Sequence, residues 1–168
     1  MNYPTDYIRY LAHFHGDRDY FECHEILEEY WKSLSDREDV WVGFIQIAVG
    51  LYHHRRENLA GAAKMLVSSA NRLKAEDVER LGLDFGQLQS ILIERIQAVR
   101  NKEAYTDLNL PISDPTLRKL AQEECLRNGW SWQAPSSKHA SLIHRHTLRD
   151  RSDVIREREN NLRIKRHG

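Results

Sequence analysis

The chain has 168 residues, 40% of them hydrophobic and 30% charged, which is one domain's worth of length with enough apolar material for a core and excludes a disordered chain. Its 25 Lys+Arg and 25 Asp+Glu cancel to a formal net charge of zero, so a protein basic as a whole and built to coat nucleic acid is excluded. The two cysteines, Cys23 and Cys125, form no C-x-x-C pair, which argues against a zinc ribbon or a disulfide framework and for a reducing, cytoplasmic setting.

Residues 1–6 lack the basic and apolar regions of a secretory signal. Thr5 is expected to cap a first helix running to about His15, which Gly16-Asp17 breaks. A second helix is expected over about 18–34. Its inward stripe is Tyr20, His24, Leu27, Trp31 and Leu34, at spacings of four, three, four and three. The polar turn 35–39 is short enough only for an antiparallel neighbour. The third helix, about 40–56, opens with the run from Val40 to Tyr52, apolar except for Gly43, Gln46 and Gly50. A membrane span needs about 20 apolar residues, so no span is expected and this is read as the central, surrounded helix.

Asn58 is read as the cap of a fourth helix to about Ala75, where Gly61, Ala62 and Ala63 allow close approach. Gly82 ends a short segment, and Asp84 opens a fifth helix to about Asn101. Residues 102–113 read as an extended connection. Asp114-Pro115 is a strong helix start and Asn128-Gly129 a stop. A loop with Trp130 and Trp132 follows, then a helix-prone stretch over about 138–165. The expected fold is all-α: a compact antiparallel bundle of about five helices, residues 1–101, with a C-terminal helical extension, residues 102–168, packed on it.

Three features carry chemistry. His24 and Glu28 share one face of the second helix, a spacing that suits an imidazole–carboxylate pair or two ligands of a divalent cation. The zincin pattern H-E-x-x-H is not met, because position 28 is glutamate, and no Glu-x-x-His pair supports a diiron bundle. The plain alternative is a buried histidine satisfied by a neighbouring carboxylate. On the third helix Gly43, Gln46, Gly50 and His53 make a stripe of small and polar residues, which fits either tight helix packing or a pocket wall. The polar end His53-His54-Arg55-Arg56 suits the negative end of the helix dipole. Antiparallel packing of the second and third helices would place Trp31 near Trp41 and gather His24, Glu28, Gln46 and His53 at one polar spot.

The run Phe21 to Trp31 has the form Phe-Glu-x-His-Glu-x-x-Glu-x-x-Trp. The helix from Gly43 to His53 reads Gly-x-Ile-Gln-x-Ala-x-Gly-x-Tyr-His, and Asn58 to Ala62 reads Asn-x-x-Gly-Ala. Together these resemble the bacterial and archaeal family catalogued as domain of unknown function 309. The resemblance implies a compact helical fold and no particular activity. It implies that His24, Glu25, Glu28, Trp31, Gln46, His53 and Asn58 are motif positions. With Gly50 these are the candidate pocket residues, and His24, Glu28 and His53 are the candidate metal ligands. A divalent metal is the one cofactor such residues would hold; otherwise none is expected.

Two functions are consistent with this pattern. The first is a module binding a small molecule or a protein, a second copy of the chain included, through a His/Glu/Gln pocket between the second and third helices. The second is a metal-dependent or His/Glu-dependent hydrolase. No P-loop, G-x-G-x-x-G or nucleophile elbow occurs. Residues 138–168 carry nine Lys/Arg against four Asp/Glu, whereas residues 17–39 carry nine acids against three bases. The basic tail is therefore expected near the acidic second helix. Nucleic acid is not an expected partner, because no aromatic residue follows Trp132 to stack on bases.

Overall fold

The computed structural model describes residues 2–136. Among them seven helices follow in order: α1 (Thr5–His15), α2 (Tyr20–Ser33), α3 (Asp39–Arg55), α4 (Leu59–Arg72), α5 (Ala75–Arg80), α6 (Phe85–Arg100) and α7 (Pro115–Arg127). The described residues contain no strand, only an antiparallel bridge between Leu83 and Ile112. The all-α class holds. Residues 1–101 hold six helices where about five were expected, because the short segment before Gly82 is itself helical, and α7 is the helix that Asp114-Pro115 was expected to open. None of the described helices is long and apolar enough to cross a membrane.

Side-chain caps set most of the helix starts. Asp19, Asn58, Asp84 and Asp114 each accept from a backbone N–H in the first turn of α2, α4, α6 and α7, at 2.9–3.1 Å. α1 departs from expectation: Thr5 is already helical, and Pro4 occupies the cap position without a side-chain bond. The Pro4 carbonyl closes the turn instead, accepting from the N–H groups of Tyr7 and Ile8 at 3.1 Å. α2 starts later than expected because Arg18 adopts a left-handed φ of 56°.

α3 is central, as its apolar surface requires. α2 and α4 pack along it, and the Tyr10 hydroxyl on α1 donates to the Phe44 carbonyl at 2.8 Å. Glycines close the α3–α4 seam. A Cβ on Gly43 would lie 2.5 Å from Leu73 Cδ2, and one on Gly50 would lie 2.7 Å from Leu66 Cγ. The Ser69 hydroxyl donates to the Gly43 carbonyl at 2.8 Å across the same seam. α7 packs on α1, and the compact unit closes at Ser136. Residues 102–136, read as the start of an extension, therefore lie within that unit. The helix-prone stretch 138–165 and its basic charge lie outside the described residues.

Candidate functional site

On α2, buried His24 donates from Nε2 to Glu28 Oε2 at 2.9 Å, and Lys32 donates to Glu28 Oε1 at 3.1 Å. The i, i+4 spacing makes both bonds. The α2–α3 register is antiparallel, with the Phe21 ring 6.0 Å from Tyr52 and the Tyr30 ring 5.1 Å from Trp41. Tyr30 thus takes the place expected for Trp31. One residue turns the helix by about 100°, which leaves Trp31 half-buried with the Arg37 guanidinium 5.3 Å from its ring. In this register Gln46 is level with Ile26, between the levels of His24 and Glu28. Gln46 Oε1 and Trp31 Nε1 are buried without a hydrogen-bond partner among the described residues.

The remaining predicted residues point elsewhere. Glu25 lines a depression of about 150 Å³ between α1 and α2, together with Asp6, Arg9, Glu22 and Glu29. Gly50 faces Leu66 on α4. His53 accepts at Nδ1 from Asn58 Nδ2 at 3.3 Å, and Asn58 Oδ1 caps α4. Along the α3 axis His53 is level with the start of α2, roughly 7.5 Å beyond the level of His24. Among the described residues no three His, Cys, Asp or Glu side chains are placed to hold a metal ion. His24, Glu28 and His53 are therefore not gathered as a three-ligand set in this arrangement.

A second polar cluster was not foreseen. His54 and Arg55, read as part of a polar end suited to the helix dipole, are buried, and so are Arg18 and Arg95. Arg18 donates to the carbonyls of Ala134 and Leu108, each at 2.8 Å, and to Asn109 Oδ1 at 2.9 Å. Arg55 donates from Nη1 to the Arg18 carbonyl at 2.8 Å, and its guanidinium carbon stands 4.6 Å from the centre of the Tyr20 ring. Arg55 and Arg95 lie 5.7 and 5.6 Å from the Tyr105 ring. The hydroxyls of Tyr20 and Tyr105 meet at 2.5 Å, and Tyr105 donates to Asp107 at 2.7 Å. Ser136 holds Asp107 through its backbone N–H, at 2.9 Å, and its hydroxyl.

The electrostatics follow from burial and bonding. Burial alone would raise the Asp107 carboxyl, but hydrogen bonds from Ser136 and Tyr105, with Arg18 nearby, hold it below the usual carboxylate range. Burial lowers His54, whose Nε2 donates to the Glu103 carbonyl at 2.9 Å. Burial, with Arg18 adding, takes His15 down to about 3. His15 is a neutral ring clamped between two backbones: Nδ1 donates to the Leu11 carbonyl at 2.8 Å and Nε2 accepts from Leu110 N–H at 3.0 Å. One sequence signal could have exposed this cluster. A helix apolar on every side is buried through its last turn, so His54 and Arg55 need partners rather than water.

A model of the family described as Domain of unknown function (DUF309) matches residues 7–65, from α1 into α4. "Uncharacterized protein YpuF" of Bacillus subtilis (strain 168) is 49% identical over 162 residues, covering 94% of this chain and 93% of that protein. No solved structure matches. The family match takes in His24, Glu28, Gln46 and His53 together with Arg18 and Arg55, and the relative extends the likeness across nearly all of the chain: this chain belongs to the DUF309 family.

Proposed function

We propose that the protein is a binding module whose ligand, a small molecule or a protein, contacts the part of α2 and α3 carrying His24, Glu28, Trp31 and Gln46. The carrying observation is the pair of buried, unpartnered atoms, the acceptor Gln46 Oε1 and the donor Trp31 Nε1. Leaving such a group unpaired costs about 1–3 kcal/mol, and Gln46 is the only polar side chain between Val40 and Tyr52. A ligand offering a donor and an acceptor would satisfy both. The substitution Gln46→Met tests this reading, because it keeps the volume and removes the amide. Thermal unfolding is expected to show a raised midpoint, as for a polar group kept for binding at the expense of stability. A lowered midpoint would mean that the amide serves the fold, and the reading would fail.

The bond between His24 Nε2 and Glu28 supports a second reading. An oriented imidazole–carboxylate pair can activate water, or supply two donors to a divalent ion that takes further ligands elsewhere. Metal analysis of untagged protein, beside the thermal midpoint of His24→Ala, separates the two readings. The binding module expects no stoichiometric metal and a lowered midpoint in the variant. Stoichiometric metal lost in His24→Ala would favour the hydrolase.

A further inference from the structure

The buried cluster at the end of α3 presents a recognition element. Arg55 is 8% exposed. Its Nη1 is anchored on the Arg18 carbonyl at 2.8 Å, with the Ser136 hydroxyl at 3.4 Å. Its Nε and Nη2 are buried and have no hydrogen-bond partner among the described residues. These two nitrogens form one edge of the guanidinium plane, and their N–H bonds point the same way. That edge is the fork that accepts two oxygens of one carboxylate or phosphate group. Stacking on Tyr20 occupies the face of the plane and leaves the edge unmatched.

The charge balance points the same way. Arg18, Arg55 and Arg95 are all buried here. Arg18 is bonded to carbonyls and Asn109, and Arg95 to His54 and Thr106. Among the described residues Asp107 is the carboxylate bonded into the cluster, and its oxygens are taken by Tyr105 and Ser136. Asp19, close by in sequence, uses its carboxylate to cap α2. Buried cations that lack a counter-charge are costly, and an anion at the free edge of Arg55 would relieve that cost.

We propose that Arg55 forms a specific oxyanion site. It takes a carboxylate or phosphate group side-on through Nε and Nη2, beside the rings of Tyr20 and Tyr105, in a place separate from the α2–α3 face of the binding reading. The shared chemistry is a single anionic group presenting two oxygens, and the choice between carboxylate and phosphate is left to the probes.

The test is a titration of the whole protein with sodium phosphate and, separately, with sodium acetate, ionic strength being held constant with sodium chloride. The ¹H–¹⁵N resonance of the Arg55 Nε–H reports occupancy of the edge. It is assigned from its disappearance in Arg55→Lys. A saturable shift with phosphate alone, with acetate alone or with both supports the site and identifies the group it takes. Thermal midpoints should rise with the same anion in the wild-type protein. In Arg55→Lys, which keeps the charge and loses the fork, the apparent affinity should fall about tenfold or more. Should the lysine variant not fold, arginine side-chain spectra of the wild-type protein alone decide, by whether one Nε–H resonance shifts saturably. The absence of a saturable shift with either probe, an equal response to chloride, or an undiminished midpoint rise in a folded Arg55→Lys would overturn the proposal.

Discussion

The molecule has two seams of different character, one along α3 and one at the turn from α1 into α2. Between α3 and α4 the join is mainly steric: Gly43 and Gly50 receive Leu73 and Leu66, beside one buried bond from Ser69 to the Gly43 carbonyl. Where α1 turns into α2, the join to residues 102–136 is polar and directional. There Arg18 reaches Leu108, Asn109 and Ala134, and His15 accepts from Leu110. A steric seam loses packing when a partner shifts but strands no polar group. A polar seam built from buried cations does, because each lost partner leaves a desolvated group behind. The polar seam should therefore be the more brittle of the two, and the more sensitive to pH.

The largest expected effect is on the polar seam. Arg18→Met should destabilise by about 2–5 kcal/mol, since it strips partners from the buried Leu108 carbonyl and from the partly buried Ala134 carbonyl and Asn109 side chain. Denaturant unfolding measures it, and a loss smaller than that of Gly50→Leu would reverse the ranking of the seams. Gly50→Leu should cost about 1–3 kcal/mol by overpacking against Leu66. An unchanged unfolding midpoint in that variant would show that α4 slides aside freely.

The pH dependence sharpens the contrast. His15 is held near 3 and His54 is also lowered, whereas an unfolded histidine titrates near 6.5. Below 6.5 the unfolded chain binds protons that the folded chain refuses. Stability is therefore complete above about pH 6.5 and falls as the pH drops toward 3. The slope from His15 is at most about 1.4 kcal/mol per pH unit. Unfolding measured between pH 7 and 4 should show this fall, and His15→Gln, which keeps a donor and an acceptor, should flatten it. The smallest effect lies at the exposed end of the α3–α4 seam. The exposed ion pair of Arg72 with Asp39, 2.5 Å apart, should contribute less than about 1 kcal/mol. Arg72→Gln should leave the midpoint nearly unmoved in high salt.

The helices themselves were legible in the sequence. Asn58, Asp84 and Asp114-Pro115 announce helix starts, because capping is a local hydrogen bond between a side chain and its own first turn. The central place of α3 was legible because a helix apolar on every side must be surrounded. The i, i+4 bond from His24 to Glu28 was legible for the same local reason. Tertiary structure decided the rest. Whether Trp31 or Tyr30 meets Trp41 depends on a rotation of α2 that Phe21 and Tyr52 settle across the interface. Whether Gly50 lines a pocket or a helix contact depends on where α4 lies. The cluster of Arg18, Arg55, Arg95, Tyr105 and Asp107 joins residues up to about ninety positions apart. No spacing rule reaches that far, because such contacts depend on how the chain folds back on itself and not on the period of any single helix.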